Sequence, residues 1–108
     1  KSYLAEGTIL ECWQDLIGNK VIWSVNITVP SNITALGLRL TWNNPDNDLA
    51  LLLFNDTGSP VATSHDGDIE ENVKANNPAH GIWHVIVYGY HVQEGEAQEF
   101  DLEARVVE

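Results

Sequence analysis

The sequence predicts an all-β fold, an antiparallel β-sandwich of seven to eight strands, on three observations. Apolar and polar residues alternate over several stretches of strand length, turn residues separate those stretches, and no stretch sustains a helical period. With 108 residues the chain is large enough for one core of two layers, so residues 1–108 read as a single domain.

Thr8 to Trp13 is a candidate N-terminal strand. From Val21 the odd positions Val21, Trp23, Val25, Ile27 and Val29 are apolar and Ser24, Asn26 and Thr28 lie between them, the pattern of a half-buried strand. Pro30-Ser31-Asn32 breaks it. Alternation resumes with Leu36, Leu38, Leu40 and Trp42 against Gly37, Arg39 and Thr41. Leu49 to Phe54 is apolar at every position, which predicts a central strand covered on both faces. Asn55 to Pro60 is a turn, followed by a short return strand, Val61 to Ser64. Ile69 to Lys74 reads equally as a strand or a single helical turn. Ile82 to Tyr90, rich in β-branched and aromatic residues, is the best strand of the chain. Phe100, Leu102, Ala104 and Val106 alternate with Asp101, Glu103 and Arg105 to close the sequence.

Sixteen acidic and five basic residues give a formal charge of -11, which repels nucleic acid and anionic lipid and removes both as expected partners. The longest apolar run is far too short to span a membrane as a helix. Starting at Lys1 without an apolar leader, the chain reads as a fragment of a larger protein, any secretion signal having been removed or lying outside it. Cys12 is the only cysteine, so neither an internal disulfide nor a cysteine metal cluster is available. It is expected as a small buried hydrophobe, because a reactive thiol needs a basic neighbour and ECWQD supplies acids.

No catalytic arrangement emerges. The nucleophile elbow, the H-E-x-x-H helix and the glycine loops that cradle phosphates are all missing from the sequence. His80 and His84 have metal-like spacing, but a turn followed by a strand does not bring them onto one face. Ser64, His65 and Asp66 are consecutive and cannot hydrogen-bond in series. Three N-x-[ST] sequons, at Asn26, Asn32 and Asn55, fall on a polar strand face or in turns, where a glycan could be attached; ordinary turn asparagines are the alternative.

The stretch NNPDNDLALLLF places Asp46 and Asp48 directly before the apolar strand. Either they help to hold calcium, which takes six to eight oxygens in flexible geometry, or they belong to an Asx turn. Asp56 lies at the opposite end of that strand, about 20 Å away at roughly 3.3 Å per residue, and cannot share the ion. The return strand brings Asp66 and Asp68 back to the first rim, so the candidate metal set is Asp46, Asp48, Asp66 and Asp68. Among the aromatics, Trp23 and Trp42 fall on apolar faces and are expected in the core. Tyr88 and Tyr90 are the candidate platform for a sugar ring or a peptide.

The order of an alternating strand ending in Trp42, D-N-D-L-A-L-L-L-F at Asp46 to Phe54, an N-D-T-G turn, V-A-T-S, and P-A-H-G-I-W-H-V-I-V-Y-G-Y at Pro78 to Tyr90 resembles the pre-peptidase C-terminal domain. The resemblance covers about residues 20 to 106 and departs at Trp83, where that family favours tyrosine. It implies a β-jelly-roll module that follows the catalytic domain of secreted bacterial and archaeal proteases, including subtilisin-like ones. Such a module is non-catalytic, extracellular, often calcium-stabilised, and sometimes removed on maturation. Its partners are the parent catalytic domain and, in the alternative reading, a polymeric carbohydrate or protein substrate. The P domain of proprotein convertases is the second family of similar shape and role.

Overall fold

The computed structural model describes residues 3–108 and consists of eight strands: β1 (Thr8–Ile17), β2 (Ile22–Val29), β3 (Ala35–Trp42), β4 (Asp48–Phe54), β5 (Pro60–Ser64), β6 (Glu70–Asn76), β7 (Gly81–His91) and β8 (Gln98–Val107). They form two four-stranded antiparallel sheets, ordered β1-β8-β3-β6 and β2-β7-β4-β5. Only β4 and β5 are joined as a hairpin within one sheet. Every other connection crosses to the opposite layer, which is the winding of a jelly roll.

Period-two sequence explains why the sheets face one another. In β3, Leu36, Leu38 and Leu40 point inward and are fully buried; Leu49, Leu51 and Leu53 of β4 and Val85 and Val87 of β7 meet them from the other layer. In β8, Phe100, Leu102, Ala104 and Val106 are buried while Glu99 and Asp101 face solvent. Registers pair Leu38 with Ala104 and Leu53 with Val85, so each sheet presents one continuous dry surface.

The ambiguous stretch after Ile69 is strand β6. Its pairing with β3 turns Glu71, Val73 and Ala75 inward, so tertiary pairing supplies what weak strand propensity does not. Trp42 is core as expected, with its indole nitrogen donating to the Asn47 carbonyl at 2.9 Å. Trp23 is half-buried at the margin, edge-on to Phe100, and donates to Asp15 at 2.8 Å. Cys12 departs from expectation. It is exposed, because β1 is an edge strand and the cysteine faces away from the core. Strand β4 lies inside its sheet, yet only its inner face is covered by the second layer, and Leu52 and Phe54 are left half-buried on the outer face.

The N-terminal turn packs on the outer face of the first sheet. Tyr3 donates its hydroxyl to the Glu103 carbonyl at 2.8 Å, and the Arg39 guanidinium lies 4.4 Å from its ring centre. Leu4 occupies the space that a side chain at residue 37 would take, which makes Gly37 part of that seat.

At the other end of the molecule, Gly89 permits a tight crossing of β7 by the β1–β2 turn. Its carbonyl accepts from the Lys20 amide at 2.6 Å, and a Cβ on it would lie 2.1 Å from the Gly18 carbonyl oxygen. Backbone is in the way, so the clash cannot be relieved by a rotamer change. Gly89→Ala should therefore destabilise the domain by about 2 kcal/mol or more in denaturant unfolding. Gly67→Ala, with open space around it, should change stability by less than about 0.5 kcal/mol.

Candidate functional site

The rim that precedes β4 is built by asparagines before aspartates enter. Asn44 accepts the Asp46 amide on its side chain at 2.9 Å and the Asn47 amide on its carbonyl at 3.1 Å, which closes the turn. Asn47, only 4% exposed, then donates to Gln98 at 2.7 Å and accepts the Gln93 amide at 2.9 Å. Gln98 is equally buried and reaches Asn43 at 3.0 Å. This buried network ties the β3–β4 loop to the β7–β8 loop. Its polar residues sit some fifty positions apart in sequence, and no local pattern announces the pairing. Within NNPDND the turn belongs to Asn44 and Asn47, and Asp46 projects into solvent.

The β4–β5 hairpin carries the chain back to that rim, where His65 Nε2 lies 2.9 Å from Asp48 Oδ2. Asp48 Oδ1 is buried without a hydrogen-bond partner. Asp66 accepts the Asp68 amide in an Asx turn of its own, at 3.0 Å. Thus Asp48 and the Asp66–Asp68 loop share a rim, but among the described residues no three His, Cys, Asp or Glu side chains converge on one point. The four aspartates do not form a preassembled cage.

Glu71 is the residue of this rim that local sequence does not announce. It has no exposed surface, accepts from the Ser64 hydroxyl at 2.5 Å and from the Asp66 amide at 3.0 Å, and so anchors the β5–β6 loop. Its inward position in EENVKAN became legible only once the β3 register was known. Ser64 and His65 accordingly serve different partners, Glu71 and Asp48, and Asp66 completes no triad with them. His80 is exposed in its turn and His84 lies on the outer face of β7, bonded to Asn26 at 2.6 Å.

Tyr88 and Tyr90 both lie on the outer face of β7. Their rings are nearly perpendicular, at 77° with centroids 6.3 Å apart, so they do not form a flat stacking surface. Tyr90 is engaged by the Lys20 ammonium 4.6 Å from its centroid and by His65 at 4.3 Å. Tyr88 instead lines a shallow apolar depression with Ile22, Leu52 and Ile86. Of the sequon asparagines, Asn26 and Asn32 are exposed, the latter with φ of 65°. Asn55 is half-exposed, and its side-chain oxygen accepts from Thr57 and Ser59.

Burial pushes the Glu71 carboxyl above the usual carboxylate range, and the Ser64 hydroxyl and Asp66 amide only partly offset this. A carboxyl whose folded pKa is raised holds its proton better in the folded state, so acidification favours folding at this site. Relative to Glu71→Gln, the parent domain should gain stability as pH falls from neutral through the raised pKa toward about 4.5 and level off below it. Urea unfolding across that range checks the sign.

No protein-family model matches the chain. Pyrolysin of Pyrococcus furiosus is 29% identical over 79 residues, which are 72% of this chain but only 6% of that protein. The chain therefore corresponds to a small part of that relative. The pre-peptidase C-terminal domain of collagenase from Bacillus anthracis superposes with a TM-score of 0.68 at 13% identity, covering 89% of each chain. The Yersinia pseudotuberculosis-derived mitogen gives the same TM-score at 15% identity, over 94% of this chain and 87% of that one. Identities this low establish fold alone. In the order of its motifs and in its eight-stranded fold, the chain resembles the pre-peptidase C-terminal domain.

Proposed function

We propose that this chain is a non-catalytic accessory domain of a secreted, subtilisin-like peptidase, and that it stabilises the parent enzyme outside the cell. What carries the reading is a coincidence of two independent likenesses, one in sequence to a short stretch of pyrolysin and one in fold to the pre-peptidase C-terminal domain of a collagenase. The placement of the sequons supports an extracellular setting, since Asn32 is exposed and Asn55 is half-exposed at the start of the β4–β5 turn. Deleting the domain from its natural polypeptide should leave peptidase turnover within about twofold at moderate temperature and shorten the half-life on heating several-fold. Turnover lost at every temperature, or an unchanged half-life, would contradict the reading.

A calcium contribution is a second reading, favoured by one atom. Asp48 Oδ1 is a buried carboxylate oxygen without a donor, a costly arrangement that a cation would relieve. The remaining oxygens would have to come from Asp46 and from Asp66 and Asp68, so the site would assemble on binding. Under this reading, millimolar calcium should raise the melting temperature by on the order of 10 °C over excess chelator, and Asp46→Ala/Asp48→Ala should abolish the rise. Equal melting in both buffers would assign the stabilising role to packing alone.

A further inference from the structure

The two outer faces of the sandwich differ in charge. The outer face of the first sheet carries Glu70, Glu99, Asp101 and Glu103 beside Arg39, Lys74 and Arg105. Strands β2, β4, β5 and β7 contain Asp48 at the rim as their sole acid and no lysine or arginine. The outer face of this second sheet is thus uncharged across its centre, on a chain whose formal charge is -11. It is also apolar. Ile22 is 64% exposed and Ile82 54% exposed, and Ile22, Leu52, Ile86 and Tyr88 surround the depression described above.

Strand β4 sharpens the point. Its run of six apolar residues is the pattern of a strand dry on both sides, yet the fold covers one side only. We propose that this outer face docks against an uncharged, apolar surface of a neighbouring domain in the same polypeptide. The inference rests on the accessory-domain reading and names the surface through which that domain acts.

Charge and area select the occupant. A charged partner would have to bury its charge unpaired against this face, which leaves a neutral surface as its occupant. Four strands about 4.8 Å apart and about seven residues long present roughly 450 Å² in projection. That is near half of the ~800 Å² per partner of a stable interface between free proteins. Doubled, it lies within the range of about 600–1,500 Å² buried between domains of one chain. A covalent tether supplies the missing affinity as effective concentration, in the millimolar range for a short linker. Pyrolysin, in which the matched stretch is 6% of the length, sets the precedent of a much longer chain around such a segment. A sugar polymer fits less well, because the Tyr88 and Tyr90 rings stand nearly perpendicular.

The test uses thiol access. Ser24 is exposed on this face, opposite Ile86 in the register, so Ser24→Cys is the probe, and Cys12, exposed on the other sheet, is its internal reference. Alkylation rates at the two cysteines are compared in the 108-residue domain and in the natural polypeptide that contains it. Docking predicts a ratio of Ser24→Cys to Cys12 labelling that is at least tenfold lower in the natural polypeptide, restored to within twofold of the free domain by Ile86→Lys. Melting of the free Ile86→Lys domain confirms that the variant folds. An unchanged ratio overturns the proposal. So does protection that grows with concentration in the free domain, which would assign the face to a second copy, or protection induced by soluble gelatin or a neutral oligosaccharide, which would assign it to substrate. Peptidase activity of the same preparation separates the two claims: protection without activity removes the peptidase reading and keeps the docking face, and activity without protection does the reverse.

Discussion

The dry layer between the sheets is the constraint on which everything else depends. Each strand has one side for Leu38, Leu51, Val85 or Phe100 and another for whatever the surroundings allow, and a slip of one residue would exchange them. In β8 such a slip would bring Glu99 and Asp101 inward, so the acidic outer face helps to hold the register that buries Phe100 and Leu102. The second sheet has no comparable charge on its outer side. Its register is held by the inner face and by fixed points such as the Gly89 crossing, which leaves the outer face free to be apolar.

At the rim the same logic acts through hydrogen bonds. Loops that cross between layers leave backbone and amide groups beside the core, and Asn47, Gln98 and Glu71 satisfy them from buried positions. These residues tie the rim at two points, the Asn47–Gln98 pair at the β3–β4 turn and Glu71 at the β5–β6 loop. The aspartate between them holds His65 with one oxygen and leaves the other buried and unmatched. That orphaned oxygen is the one observation behind the calcium reading of the rim.

Much of the fold was legible because period two reports burial directly. The strands at Ile22, Ala35 and Gln98 emerge near their predicted limits because each alternates without interruption, and the strand at Gly81 because it is rich in β-branched and aromatic residues. Strand β6 was ambiguous because EENVKAN has little β propensity and gains its inward face from β3. Cys12 was misread because composition gives the usual fate of a cysteine and not the position of an edge strand. At the candidate site, the return of the 65–68 loop to Asp48 followed from hairpin geometry, whereas Glu71 and the Asn47–Gln98 pair depended on contacts between distant segments. The run in β4 was informative in a different way. It marks a strand expected to be dry on both sides, and the domain by itself supplies only one cover.

A jelly roll with one charged face and one uncharged face is suited to sit against a larger body while staying soluble on its free side. In that account the domain and its neighbour unfold as a unit, because docking ties the β2-β7-β4-β5 sheet to the rest of the polypeptide. Differential scanning calorimetry of the natural polypeptide, beside the isolated 108 residues, tests this most directly. The docked domain should melt together with its neighbour, in a transition above that of the isolated domain. A separate transition at the temperature of the isolated domain would contradict it.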